Sequence, residues 1–400
     1  MDKNMYDVGI IGFWYGMNYG SVLTYYALYK SVERLGLKPI LVNKPTGLWD
    51  DSFYDKNTLA NRFFAARCKK SRLRRDYVDW LDLNNFCEMF LVGSDIVWKY
   101  TLPKRVGYHF FLDFVKSGRR KVSYASSFGG DWEGNRLITG NAEFFLKRFD
   151  FVSVRENEAV EICRTCFNVD AVQVMDPVFL PDRAVYDELL ASSKIHNEEE
   201  YIMSYILGPG KSKRDILLNL QNMTGIGLLN VVGAADEEKG TRYLGLETTT
   251  NLNVEDWLKY IHDCKIYIGD SFHGICFAII FRKNFILVRN RISPSRCRFD
   301  TLLKICGLEN RSLYADEDIT ARPDLIQDID YDEVYKKLEP RIEFSRKWLE
   351  NALTSNIEAK ASDAFDVLNE KTAAVAKENA LLKARLDKLE EQISRLSGGE

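Results

Sequence analysis

The sequence predicts an α/β protein of two Rossmann-like domains facing a cleft, with a C-terminal α-helical coiled coil. Three observations predict it. The chain opens strand, glycine-rich turn, helix, strand, which is the βαβ start of a parallel sheet. Short apolar runs ending in Gly or polar residues then recur, and a second set follows a polar, acidic stretch. Finally, apolar residues repeat every seventh position from Leu368. A chain of 400 residues also exceeds one core at about 100–200 residues per domain.

Asp7–Phe13 (DVGIIGF) is a continuous apolar run of strand length, as a strand buried on both faces requires. The turn Trp14–Gly20 follows, then a helix over Ser21–Leu35 with apolar residues at helical spacing, stopped by Gly36. Pro39–Asn43 is the next strand. Met89–Gly93, Lys121–Ser127, Phe151–Val154 and Val172–Val174 are further strands, each followed by polar or glycine residues. Ligands of open α/β sheets gather at the carboxyl ends of strands, so Asn18, Ser94, Asp95, Ser127 and Arg155 are expected on one rim. After the break at 181–200 the pattern resumes. Strands are predicted at Tyr201–Leu207, Leu228–Val232, Ile266–Gly269 and Phe285–Arg289, and helices at 213–223, Val254–Asp263 and Ile275–Phe281. The domains are therefore placed at 1–180 and 181–330. An amphipathic helix interrupted by Pro340 closes them at 331–353, and the coiled coil occupies 368–396.

The net charge of −3 offers no basic field for nucleic acid. No apolar run reaches the about 18 residues that a membrane span needs, and the N-terminal run reads as no signal peptide. Cys163 and Cys166 form a CxxC without a second pair or a nearby His. They read as free thiols of a reducing cytoplasm, and no metal set is expected.

The glycines Gly12, Gly16 and Gly20 form a weak phosphate-loop signal or simply a tight turn. Asn18 and Tyr19 stand at a helix start, where backbone N–H groups favour an anion or polar ligand. His273 follows a strand within Asp270-Ser271-Phe272-His273-Gly274, at the expected mouth of the cleft. It is structural, or it gives and takes a proton, or it holds a phosphate. Residues 282–298 carry six basic side chains and no acidic one, either a solvated face or a source of anion ligands. Arg296 and Arg298 are the candidates near the His273 rim, since guanidinium matches phosphate and carboxylate bidentately. Arg155 is a similar Arg at a strand end. Asp95 is a candidate base for a hydroxyl, or a helix N-cap.

With these residues in hand, the chain resembles the polysaccharide pyruvyl transferases from about Val8 to about Arg311. The carriers are Asn18–Leu23 (NYGSVL), Val92–Trp98 (VGSDIVW), Ser123–Gly129 (SYASSFG), Ser153–Glu158 (SVRENE), Asp176–Leu180 (DPVFL), Asp270–Gly274 (DSFHG) and Ser295–Phe299 (SRCRF). Each is short, but their order and spacing together are specific. The resemblance departs at Ser271, where many members carry an arginine; Arg298 is the candidate to supply that contact.

The resemblance implies a fold like the B-type glycosyltransferases. It implies transfer of pyruvate from phosphoenolpyruvate, as co-substrate and with no cofactor, onto two hydroxyls of a sugar as a cyclic ketal. The catalytic candidates are then His273 and Asp95. The substrate-binding candidates are Asn18, Tyr19, Ser127, Arg155, Asp270, Ser271, Arg296 and Arg298. The setting is bacterial surface polysaccharide or capsule synthesis, with a sugar acceptor expected on a lipid carrier. A nucleotide-sugar glycosyltransferase, or a sugar-binding scaffold of the same fold without catalysis, stands beside this reading.

Residues 61–75 carry seven basic side chains and no acid. They form a solvated face, or a patch that holds a cytoplasmic enzyme on the anionic inner face of the membrane. The C-terminal heptads predict a parallel homodimer, with Leu or Val at d, Asn379 at one a position and matched charges beside them.

Overall fold

The computed structural model describes residues 6–16, 18–43, 58–73, 77–233, 243–292, 296–360 and 363–397. Two parallel sheets organise it. The first has seven strands in the order β3-β2-β1-β4-β5-β6-β7. These are β1 (Tyr6–Ile11), β2 (Pro39–Asn43), β3 (Lys70–Leu73), β4 (Cys87–Val92), β5 (Arg120–Ser126), β6 (Phe151–Val154) and β7 (Val172–Gln173). The second has five strands in the order β12-β11-β10-β8-β9. These are β8 (Tyr201–Tyr205), β9 (Gly227–Val231), β10 (Ile266–Gly269), β11 (Asn284–Arg289) and β12 (Ser312–Tyr314). β1 pairs in parallel with both β2 and β4, and β10 with both β8 and β11, and consecutive residues of β1 and β10 are buried, so both faces of these inner strands are covered. That is why these segments read as unbroken apolar runs.

The two sheets share an apolar seam. The helix Tyr19–Arg34 that follows β1 buries most of its length and reaches the second domain, where Tyr19 stacks on Trp257 at 5.4 Å between centroids. The helix Tyr331–Thr354 returns from the second domain to the first. The Tyr331 hydroxyl contacts the Ala278 carbonyl at 3.3 Å at one end, and the Ser345 hydroxyl accepts the Met175 N–H at 2.9 Å further along. This helix thereby straps both domains.

One expectation is corrected. Pro340 does not interrupt that helix, which runs through it without a break. Proline removes one backbone hydrogen bond, and burial of Leu338, Ile342 and Ser345 on either side holds the helix across the gap. The described part of residues 61–75 spans two elements. Leu59–Ala65 is a helix that sinks Phe63 and Phe64 into the core, and β3 is an edge strand of the first sheet. Arg67 pairs with Glu255 at 2.6 Å and Arg72 with Asp79 at 2.8 Å, acids brought from elsewhere in the chain. Arg74 and Arg75 lie outside the described residues. No described helix is long and apolar enough to cross a membrane. Cys163 is buried in the helix Asn157–Phe167, Cys166 is half-buried there, and both are free thiols.

Candidate active site at the domain seam

The carboxyl ends of β4, β5, β6 and β7 bring Ser94, Asp95, Ser127, Arg155 and Asp176 together. The contacts are largely backbone-driven. Ser127 N–H donates to the Asp95 carbonyl at 3.0 Å, and Arg155 N–H donates to the Ser126 carbonyl at 3.2 Å. The pairing is irregular here: the β5–β6 register shifts between Ser123 and Ser126, Ala125 has φ +50° and Asp95 has φ +76°. A non-glycine residue in that region is strained, and such strain collects at functional sites.

Asp176 is the hub. One carboxylate oxygen accepts from Arg155 Nη1 at 2.9 Å and from the Ser94 hydroxyl at 3.3 Å, and it lies 3.6 Å from His273 Nε2. Burial pushes this carboxyl up, but His273 and the Arg155 guanidinium outweigh burial and hold it well below the ordinary carboxylate range. Burial alone would favour loss of charge at Arg155, yet Asp176, Asp95 and Glu156 keep it charged more firmly than usual. Asp95 follows the same logic: burial raises it, while Arg155, His273 and Arg298 together bring it down. Glu156 goes the other way, because burial outweighs Arg155 and the Ser127 hydroxyl, which donates to it at 2.6 Å.

His273 begins the helix Phe272–Ile280 of the second domain and crosses the seam. Its Nε2 lies 2.8 Å from the Thr24 hydroxyl, which donates its own proton to the Gly20 carbonyl at 2.8 Å. The hydroxyl therefore accepts from His273, which fixes the proton on Nε2. Gly20 is required for this approach, since a Cβ there would stand 2.5 Å from Nδ1. Gly12 serves a similar end: the Tyr25 ring occupies its side-chain space, and the Tyr25 hydroxyl donates to the Ser94 carbonyl at 2.7 Å. Two glycines of the first turn thus admit protein side chains, which removes the phosphate-loop reading from them.

His273 does not stand at the mouth of the cleft, as its strand-end position had implied. It is 6% exposed, inside the seam. The more open members are Asp95 and Arg298, with 23% and 18% of their side chains exposed and 3.8 Å between Arg298 Nη1 and the Asp95 carboxylate. The Phe272 ring lies under both guanidinium groups, 4.8 Å from Arg155 and 5.4 Å from Arg298. Arg155 Nε and Nη2 and Arg298 Nε make no hydrogen bond with the described residues. Buried donors of this kind are seldom left unspent.

Other candidates have structural engagements. Asn18 caps the helix Tyr19–Arg34 by accepting the Ser21 N–H at 3.2 Å, and Ser271 caps its own helix through the Gly274 N–H at 3.3 Å. Asp270 pairs with Lys213 at 2.7 Å and accepts the Leu207 and Gly208 N–H groups at 2.5 and 3.0 Å, so it anchors a turn. Tyr19 is buried in the seam. The side chain of Arg296 lies outside the described residues. Sequence reasoning missed Thr24, Asp176 and Glu156 as site members. Thr24 lies one helical turn after Gly20, and that spacing was its only signal.

Solved structures with related folds include a protein described as a UDP-N-acetylglucosamine 2-epimerase from Listeria monocytogenes. It has a TM-score of 0.56 and 9% identity over 90% of this chain and 100% of that one. A glycosyltransferase from Rickettsia africae matches with a TM-score of 0.50 and 10% identity, over 89% of this chain and 100% of its own. These likenesses show a fold of the kind shared by B-type glycosyltransferases and these epimerases. No curated protein sequence matches the chain significantly. The family model for polysaccharide pyruvyl transferase matches residues 18–291, which span Asn18, Asp95, Arg155, Asp176 and His273. The chain therefore belongs to the polysaccharide pyruvyl transferase family.

Proposed function

We propose that the protein moves the pyruvyl group of phosphoenolpyruvate onto two hydroxyls of one sugar, forming a cyclic ketal on a bacterial surface-polysaccharide precursor. The observation that carries this reading is the guanidinium pair Arg155 and Arg298. Both carry N–H groups without a hydrogen bond to the described residues, Arg155 facing Asp95 and Glu156 inside the seam and Arg298 part-exposed beside Asp95, in a chain of this family. The donor presents a phosphate and a carboxylate, and planar guanidinium groups suit both.

In the proposed reaction one sugar hydroxyl adds to C2 of the donor, and a proton reaches the methylene carbon to make a methyl group. The C2–O bond to phosphate then breaks, and the second hydroxyl closes the ring. Of the two hydroxyl protons, one is accounted for by the methyl group and one by the departing phosphate. Asp95, held ionised and part-exposed, is the proposed acceptor of a hydroxyl proton. Arg298 contacts the donor's anionic groups. Asp176 keeps Arg155 charged and in place, His273 lies against the same carboxylate, and any direct proton transfer by His273 requires the seam to open.

A nucleotide-sugar glycosyltransferase is the second reading, because the fold does not choose the donor. Donor binding separates the two. Phosphoenolpyruvate should raise the melting temperature of the wild type and fail to do so for Arg298→Ala. Stabilisation by UDP-N-acetylglucosamine with none by phosphoenolpyruvate would contradict the proposal.

A further inference from the structure

Among its described side chains, the last helix, Asp363–Ser397, is fixed to the first domain by those of its opening turns. Phe365 is 5% exposed, wedged beside Phe144 and Phe145 and beneath the Arg148 guanidinium. Asp366 accepts the Ser117 N–H at 3.0 Å, and Asn369 accepts the Tyr77 hydroxyl at 2.6 Å. After Glu370 every described side chain of the helix is exposed. At 1.5 Å per residue, residues 371–397 form an arm of about 40 Å. Along it Val375, Leu382, Leu386, Leu389 and Ile393 are each more than half exposed. A continuous apolar stripe on a single helix is not stable uncovered in water.

We propose that this arm pairs in parallel with the arm of a second copy of the chain. Leu368, Val375, Leu382, Leu389 and Leu396 take the d positions of consecutive heptads, and Thr372, Asn379, Leu386 and Ile393 the a positions. Phe365 would be the preceding a residue, but the body holds it. The pairing seam therefore begins where docking ends. Self-pairing is favoured by charge: Glu378 at g faces Lys383 at e of the partner helix, and Arg385 at g faces Glu390 at e. Orientation is set by Asn379. In a parallel pair the two Asn379 side chains meet in one layer and can hydrogen-bond to each other. In an antiparallel pair a positions face d positions, all of which are Leu or Val here, and Asn379 would be buried without a partner.

Light scattering of the full chain at tens of micromolar should give twice the 46.2 kDa chain mass. The double variant Leu382→Glu/Leu389→Glu should scatter as a monomer, its dissociation constant raised by at least about 100-fold. Both residues are exposed on the single chain, so its melting temperature at low concentration should not change. Ser397→Cys should yield a disulfide-linked dimer on mild oxidation and wild type should not, because parallel arms bring their ends together. A monomeric wild type would overturn the proposal and hand the stripe to another protein. A dimer that survives the glutamates, a trimer or tetramer, or no cross-link at Ser397→Cys would overturn it as well.

Discussion

Asp176 shows how one buried carboxylate organises several elements: it holds Arg155 from β6, Ser94 from the end of β4 and His273 from the second domain. Asp176→Asn leaves the Arg155 guanidinium buried against weaker partners, and removing one member of a buried ion pair costs about 3–5 kcal/mol. Urea unfolding should read that loss. His273→Ala should lower kcat, by less than the about 10²–10⁴-fold loss of a direct acid–base group, because the ring acts on Asp176 from within the seam. Thr24→Val removes only the acceptor of its Nε2–H, so it should lower kcat less than His273→Ala and leave the donor KM unchanged. Gly20→Ala should reproduce the His273→Ala defect, because the new Cβ meets the imidazole. Wild-type activity in Gly20→Ala would show that the seam contact is dispensable. The strand-end residues were legible in the sequence because parallel sheets place them on one rim. Thr24 was not, because its role exists only across the seam, and Asp176, three residues beyond β7, was passed over although it too follows a strand end.

At the scale of elements, helix termini separate ligands from caps. Ser271 and Asn18 were read as substrate contacts because they begin helices beside the expected cleft, yet each accepts an N–H of its own first turn. Ser271→Ala should cost about 1 kcal/mol of stability and leave the donor KM unchanged. A large rise in KM would return Ser271 to the site. Strand β5 carries a second test. Burial, reinforced by Arg148, pushes the Lys121 ammonium down from an ordinary 10.5 to about 8. The unfolded chain then holds this proton where the folded chain has released it, so stability rises with pH across that window. Between about pH 7.5 and 9.5 the gain is about 2 kcal/mol. It should vanish in Lys121→Met, as denaturant midpoints at the two pH values would show. The continuous apolar strands were readable from sequence. Short β3 and β12 were not: β3 lies within a run of charges, and three-residue β12 gives too little pattern.

At the scale of the molecule, two parallel sheets, a shared seam and a strap helix make a frame that brings residues following both sheets together. The two-domain architecture was visible in the sequence as two series of strand-length apolar runs. The burial of His273 was not, because sequence spacing does not reveal how tightly domains close. The basic segment 61–75 illustrates the same limit, since Glu255 and Asp79 reach Arg67 and Arg72 only in the folded chain. Ketal transfer from phosphoenolpyruvate leaves two products that can be followed together. The most direct measurement incubates the protein with phosphoenolpyruvate and glycan precursors from a strain deleted for its gene, and follows phosphate release together with the proton NMR spectrum of the glycan. One phosphate should be released per ketal methyl group formed, and neither product should appear with Arg155→Ala/Arg298→Ala. Unchanged phosphoenolpyruvate, with the same glycans extended from a nucleotide sugar, would contradict it.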